Sequence, residues 1–490
     1  MSVESNRLKF LKIAKLTSSV FLESKRKKLA SLIQTNAHLP DQGTKEWLDL
    51  RRFHIGGSEI GVLTGDNKFS NMKKLIAGKV GLCNFKGVMA TRWGKAFEKV
   101  TTLIMQSVLD VDGSIQETSS LEGGIPNQRF SPDGLAVIKM ICGGRIDGEY
   151  IECSEYVTVL FEFKSPYSSV PDGVIPKYYM PQVLAGLCSI PIADFGLFVN
   201  NMYRKCSLSQ FDVNSDYDTK FHNKDEGKVE VGRPIALGFI LVYVSEDTYN
   251  KIVCKYGEES EESEESDESD ESDESEESEE SEESDESDEI DLLSIVKMQR
   301  PEFPTLVSTI VSRTGSKLVD FGKSNYYEFD ELLSLFDNKL VDFHYCDPLI
   351  IRAEACKIPL LQGQRFSSQG QLDLGDYKAK LSAGGMVREL KSERVKKIVG
   401  YIPYKLFKSD MIVVNRDETY LKRCNDKVQE TVGVIKDIMG CTEYGENMVE
   451  IHERFRKYYP IKNDCIDREI NANVDSYLNE HSRKDMIPNF

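Results

Sequence analysis

The chain is poor in the residues that most often build metal and redox sites. It has 6 histidines and 2 tryptophans in 490 residues. The histidines are far apart, which argues against a His-based zinc centre. The 11 cysteines are scattered and form no CxxC pair. That disfavours a zinc ribbon or a dithiol motif and fits free thiols in a reducing compartment, the cytosol or the nucleus. No apolar run is long enough to span a membrane. The N-terminus is rich in Lys and Arg and lacks the apolar block of a secretory signal.

Net positive charge is also missing, but for a local reason. The formal charge is −18, and the stretch Glu258–Glu289 alone carries 22 acidic residues in a Glu/Asp-Glu-Ser repeat. Setting those aside leaves 62 basic against 58 acidic residues, a mildly basic remainder that permits a polyanionic partner. Residues 258–291 hold too little apolar surface to offset their own repulsion, so they read as an acidic, disordered linker.

Five segments follow from composition and periodicity. Residues 1–45 read as a basic helical segment, with Lys25-Arg26-Lys27-Lys28 taken as a solvated helix face. Residues 46–250 mix helix and strand. Trp93, Phe97, Val100, Ile104 and Val108 recur at helical spacing, and Leu135–Ile141, Val157–Lys164, Phe195–Val199 and Ile235–Val244 read as strands. The acidic linker comes next, then residues 292–400, an insertion without a clear pattern. There, Gly322-Lys323-Ser324 resembles a phosphate loop, but Lys317 stands where that loop needs glycine, so an NTPase is rejected. Residues 401–490 regain a pattern. Met411–Val414 is a short strand, Val428, Val432, Ile435 and Ile438 mark a long helix, and the polar stretch from 460 reads as a peripheral tail. The fold class is α/β (α+β), with a central mixed sheet flanked by helices.

Chemistry concentrates in three places. In the strand Phe161-Glu162-Phe163-Lys164, alternation places Glu162 and Lys164 on one face and the two phenylalanines on the other. A carboxylate beside an ammonium suits phosphodiester hydrolysis: the acid holds a hard cation and the lysine orients water. Alone, such a pair is more often a surface salt bridge. Upstream, Ser131-Pro132-Asp133-Gly134 sets an aspartate at a turn just before a strand, and a meander could bring it beside Glu162. By itself that tetrapeptide is an ordinary turn. Glu98 sits at the border of the apolar helix face, where it could reach over the sheet edge; its bland reading is a solvated helix glutamate.

The order Glu98, Asp133, Glu162-x-Lys164 resembles the PD-(D/E)XK nuclease superfamily with its restriction-endonuclease-like core. Trp47 to Arg51 running into Ile55-Gly56-Gly57-Ser58-Glu59-Ile60, Trp93-Gly94 through Glu98, and Tyr178-Tyr179-Met180-Pro181-Gln182 narrow the likeness to its YqaJ-type viral recombinase and lambda-exonuclease branch. The likeness covers roughly residues 45–200. It implies that Glu98, Asp133 and Glu162 bind Mg2+ or Mn2+, that Lys164 is the catalytic lysine, and that Arg51, Ser58, Ser131 and Gln182 hold substrate phosphate. It further implies a DNA exonuclease acting 5′ to 3′ on duplex ends in viral recombination, replication or repair. A single-strand annealing protein would be its partner, a ring-like oligomer is possible, and host cytoplasm or nucleus would be its location. The sequence departs from the pattern in an added hairpin, about Met140 to Glu155, and in the interruption before Tyr401–Ile438, which is expected to supply the closing strand and helix. The alternatives are an inactive nuclease fold that only binds DNA, and an interaction protein working through its acidic repeat. An iron–sulfur nuclease is disfavoured because Cys142, Cys153 and Cys188 are dispersed.

Overall fold

One helix, α1 (Val3–Asn36), opens the chain. The computed structural model describes residues 3–40, 44–83, 87–146, 149–211, 219–223, 228–232, 234–245, 249, 318–352, 355–356, 360–361, 364–366, 396–440 and 447–484. The acidic run 258–291 and the residues flanking it to 317 lie outside these.

Helix α2 (Lys45–Arg51), strand β1 (Ile55–Gly56), and helices α3 (Gly57–Thr64) and α4 (Met72–Lys79) come next. Their ends are written in the sequence. The Thr44 hydroxyl accepts from the Trp47 N–H, and the Asn71 side chain accepts from the Lys74 N–H. Gly65, at φ 82°, closes α3 in the left-handed region that glycine tolerates best. Helix α5 (Met89–Val108) buries Trp93, Phe97, Val100, Ile104 and Val108 as one stripe.

The strands are β2 (Val111–Gln116), β3 (Leu121–Glu122), β4 (Gln128–Phe130), β5 (Gly134–Ile146) and β6 (Glu149–Lys164). After α6 (Met180–Ser189) come β7 (Phe195–Lys205), β8 (Thr219–Asn223), β9 (Lys228–Gly232), β10 (Ala236–Ser245) and β11 (Val319–Asp320). Then follow α7 (Tyr326–Asp337), β12 (Val341–Tyr345), β13 (Leu349–Ile350), β14 (Leu360–Leu361), β15 (Gln364–Phe366) and β16 (Lys396–Val414). Helices α8 (Tyr420–Met439), α9 (Met448–Tyr458) and α10 (Cys465–Lys484) end the described chain.

Eleven strands of the described residues form one mixed sheet in the order β12-β10-β16-β7-β6-β5-β15-β14, with β2 on β5, β11 on β16 and β13 on β10. This is the α/β architecture with a central mixed sheet and flanking helices. Strands β6 and β7 pair in parallel, because α6 carries the chain back between them. Strands β5 and β6 pair antiparallel as far as Ile146↔Glu149, so the added hairpin continues the sheet.

Strand β16 lies between β10 and β7, with Val414 opposite Gly196. It is far longer than the apolar tetrad Met411–Val414. Lys405, Ser409 and Asp410 interrupt its apolar pattern, yet each is no more than 3% exposed. Residues 319–350, unreadable in sequence, place Phe329, Leu332 and Leu333 of α7 in the same core as Trp93 and Phe97. The polar stretch from 460, read as a peripheral tail, is instead largely helix α10, which buries Ile466, Ile470 and Val474. Its apolar residues form one narrow stripe in a polar segment, so composition hides it.

Alternation along the central strands feeds two cores. Ala136, Ile138, Val159, Phe161 and Phe163 face α5 and α7, whereas Leu135, Val137 and Leu160 face α1 and α6. Helix α1 is tied to the sheet by Lys25–Asp194 and Arg26–Asp112, both at 2.6 Å. Two cations of the basic cluster therefore act as clamps.

Candidate active site

The end of β6 carries Glu162 and Lys164, and the start of β5 lies beside it, with Gly134 opposite Phe161. That register delivers Asp133 to the same spot. Its Oδ2 accepts the Phe163 N–H at 2.7 Å. Glycine at 134 is required: a Cβ there would lie 2.5 Å from the Ile115 Cγ2. The turn read as Ser-Pro-Asp-Gly thus has a steric reason for its last residue.

Glu162 is fully buried, while Lys164 and Asp133 keep 20% and 19% of their side chains exposed. The Lys164 ammonium donates to Glu162 Oε1 and lies 3.9 Å from Asp133. The Asp133 and Glu162 carboxyls stand close enough for each to shift the ionisation of the other. Glu162 Oε2 is buried with no hydrogen-bond partner. A carboxylate oxygen left this way is costly.

Glu98 projects from the solvent side of α5 beside buried Phe97 and feels the charges of Asp133, Lys164 and Glu162. Its carboxyl is pushed up, by loss of surrounding water first and by Asp133 next, and less than that of Glu162 because Glu98 stays exposed. Glu162 is pushed up to about 8 for the same two reasons. Asp133 is raised as well, chiefly by burial, against the pull of Lys164. Burial works against the charge on Lys164, but Glu162 and Asp133 outweigh it and keep the amine protonated. Once ionised, the three acids would outnumber the one cation of the protein beside them. That excess and the orphaned Oε2 fit a hard divalent ion with oxygen ligands. Among the described residues no three His, Cys, Asp or Glu side chains close around an ion as they stand. Asp133 and Glu162 are the contacting pair, and Glu98 acts on them through its field.

The surroundings hold this arrangement. Thr101, three residues beyond Glu98, hydrogen-bonds Ser165 at 3.2 Å and Tyr203 at 2.9 Å, which ties α5 to the residue after Lys164. On its outer side α5 is fixed to α7 by Arg92–Asp330 at 2.7 Å. Tyr179, just before α6, places its ring 5.1 Å from the Lys164 amine.

Ser58 and Gln182 lie on α3 and α6, which close on the ring of Phe130, and Ser131 follows that ring in the chain; Arg51 ends α2 with its guanidinium against Gly56. A Cβ on Gly57 would come within 2.3 Å of that ring, and one on Gly186 within 2.4 Å. The two glycines let α3 and α6 close on Phe130 from either side, next to Ser131. Ser58 is exposed; Arg51, Ser131 and Gln182 are half-buried. Arg51 stacks over Trp47, 4.4 Å from the ring centre.

Sequence reading missed a buried pair beside Arg51. Lys79 bridges Glu59 at 2.8 Å and donates to the Arg51 and His54 carbonyls, while Glu59 also accepts the Gly56 N–H at 2.6 Å. Burial would raise the Glu59 carboxyl, but Lys79 and Arg51 hold it below its usual range. Glu59 at the third position of α3 is a legible capping signal. Lys79 has no local signal, because its partners are tertiary. Glu117, which adds negative potential at Glu98 and Asp133, was missed for the same reason.

Residues 46–189 match the model of the YqaJ-like viral recombinase domain. A protein of African swine fever virus is 27% identical in the Badajoz strain and 28% in the Tick/Malawi isolate, each over 231 residues. Each match covers 42% of this chain and 62% of that protein, so the chain spans under two thirds of these relatives. Among solved structures, the alkaline exonuclease LHK-Exo of Laribacter hongkongensis aligns with TM-score 0.23 and 17% identity, over 32% of this chain and 74% of that one. The match takes in Glu98, Asp133, Glu162 and Lys164 but stops before β7 and β16, so residues 46–189 resemble the YqaJ-like viral recombinase domain, and strands outside the matched stretch continue their sheet.

Proposed function

We propose that this chain is a divalent-cation-dependent deoxyribonuclease that trims duplex DNA ends 5′ to 3′ for viral recombination, replication or repair. The observation that carries the reading is the buried Glu162 carboxylate, with one oxygen bound to Lys164 and the other without a partner, beside Asp133. Such a group suits a positively charged ligand that the protein itself does not supply.

Glu98, Asp133 and Glu162 would hold Mg2+ or Mn2+. When bound, the ion supplies charge neutralisation and a water acidic enough to attack near neutral pH. Lys164, anchored to Glu162, would use its remaining N–H bonds to hold the attacking water and to stabilise the charge that develops on the phosphoryl oxygens. Water oxygen bonds to phosphorus as the bond to the 3′ oxygen breaks, and that oxygen takes up a proton. The products are a 5′-phosphate and a 3′-hydroxyl. The Arg51 fork matches phosphate geometry, and Ser58, Ser131 and Gln182 add hydrogen bonds. Trimming one strand leaves a 3′ single strand, the substrate of an annealing protein. A ring-like oligomer would keep such an enzyme on its track.

End-labelled linear duplex DNA with Mg2+ tests the reading. Wild type is expected to release label, and Glu162→Ala and Lys164→Ala are expected to be inactive. A wild type that binds DNA but cuts nothing with Mg2+ or Mn2+ overturns it.

A further inference from the structure

We propose that Phe69 and Tyr178, flanked by Lys68, form a stacking platform for an unpaired nucleobase of the DNA strand that reaches Lys164; this rests on the nuclease reading above. An aromatic ladder leads outward from that lysine. The Lys164 amine lies 5.1 Å from the Tyr179 ring centre, Tyr179 packs on Tyr178 at 4.4 Å, and Tyr178 meets Phe69 edge-on at 5.1 Å. The Lys68 amine closes the outer end, 5.0 Å from Phe69 and 5.1 Å from Tyr178.

A single exposed phenylalanine is ordinary. Phe69 differs in being 66% exposed while its backbone is fixed. Its N–H donates to the Asn67 side chain at 2.8 Å, and the Asn67 N–H donates to the Gly61 carbonyl at 2.9 Å. Thr64 holds Asp66 at 2.6 Å, and Asn71 caps α4 just beyond. Gly61 also faces Tyr178: a Cβ there would stand 3.5 Å from the Tyr178 carbonyl oxygen. The backbone at both positions is therefore held near Gly61 of α3, which lowers the entropy cost of presenting the exposed Phe69 ring to a ligand.

The chemistry selects the occupant. Every nucleobase offers a flat face, so stacking tolerates any sequence, as an enzyme trimming arbitrary ends requires. Lys68 adds the charge that a strand's phosphates need. A protein partner would find one exposed ring and an ammonium here.

The test uses the full chain in EDTA, so that nothing is cut, with a duplex whose 5′ end carries three unpaired nucleotides. 2-Aminopurine is placed at each unpaired position in turn. Wild type is expected to quench one position strongly. Phe69→Ala should abolish that quenching and weaken binding about tenfold, with the salt dependence unchanged. Phe69→Trp should retain both. Lys68→Gln should keep the quenching and lower the slope of log affinity against log salt by about 1. Quenching and affinity unchanged in Phe69→Ala, with its melting temperature also unchanged, overturn the platform. Failure of wild type to cut DNA with Mg2+ is a separate result that removes the nuclease reading instead.

Discussion

Replacing Glu162 by glutamine should make the metal-free protein less sensitive to alkaline pH. The Glu162 carboxyl is raised from an ordinary 4.5 to about 8, by burial first and by the charge of Asp133 next. Between those values the folded chain keeps a proton that the unfolded chain has released. Stability then falls as pH rises, by about 1.4 kcal/mol per pH unit for one such group. Glutamine has nearly the same shape and cannot ionise, and Lys164 still has Asp133 at 3.9 Å. The melting temperature in EDTA, followed from pH 5.5 to 8.5, should therefore drop more steeply for wild type than for Glu162→Gln. The gap should widen by on the order of a few degrees per pH unit. Taking the difference between the two proteins cancels the groups that do not interact with Glu162, leaving Glu162 with its partners Glu98 and Asp133. Mg2+ should flatten the wild-type profile, because it binds the ionised form, and leave Glu162→Gln almost unmoved. Parallel profiles for the two proteins in EDTA would refute the claim that Glu162 is held protonated by its surroundings.

Three other outcomes follow from the packing. Lys164→Ala should lower DNA hydrolysis by about 10²–10⁴-fold, and single-turnover assays at saturating DNA should place the loss in the chemical step rather than in binding. Gly186→Ala should lower stability by about 1–3 kcal/mol in urea titrations: the helix gains under 1 kcal/mol from alanine, but the Cβ meets the Phe130 ring at 2.4 Å. Asp467→Ala should cost about 3 kcal/mol, since Asp467, 1% exposed, bridges Lys73 and Arg456. Burial alone would raise that carboxyl, but the two cations hold it far below its usual range, so its contribution is present at neutral pH and is lost as pH falls.

Much of the sheet was legible because its central strands obey period two. Val157, Val159, Phe161 and Phe163 alternate with Glu162 and Lys164 in the sequence, and the structure buries the first four together. The stripe from Trp93 to Val108 was equally plain. The hidden parts share one cause: their pattern makes sense only against distant partners. In β16, Lys405, Ser409 and Asp410 are buried in a central strand, where sequence rules expect apolar residues. Helix α10 shows three buried apolar residues among polar ones, and its anchor Lys73 is nearly four hundred residues earlier. At the site, the order of the acids and Lys164 could be read directly. The Lys79–Glu59 pair and the aromatic ladder could not, because each joins segments that only the fold brings together.

Glu162 is a buried acid in a strand whose other buried positions, among the described residues, are apolar except for Thr158. Its neighbours on either side enter the core as apolar groups, while Leu160, two residues back on the same face as Glu162, packs against α1 and α6. By that pattern position 162 should hold another aliphatic residue. A leucine there would remove both the repulsion with Asp133 and the unpaired oxygen. Lys164 does not explain the exception, because one ammonium cannot balance three nearby acids once they are ionised. Such local conflict is how a fold marks a site where stability is given up for chemistry. On the proposed reading a bound cation supplies the compensation, so the same side chain that weakens the empty fold should make the loaded one both more stable and active.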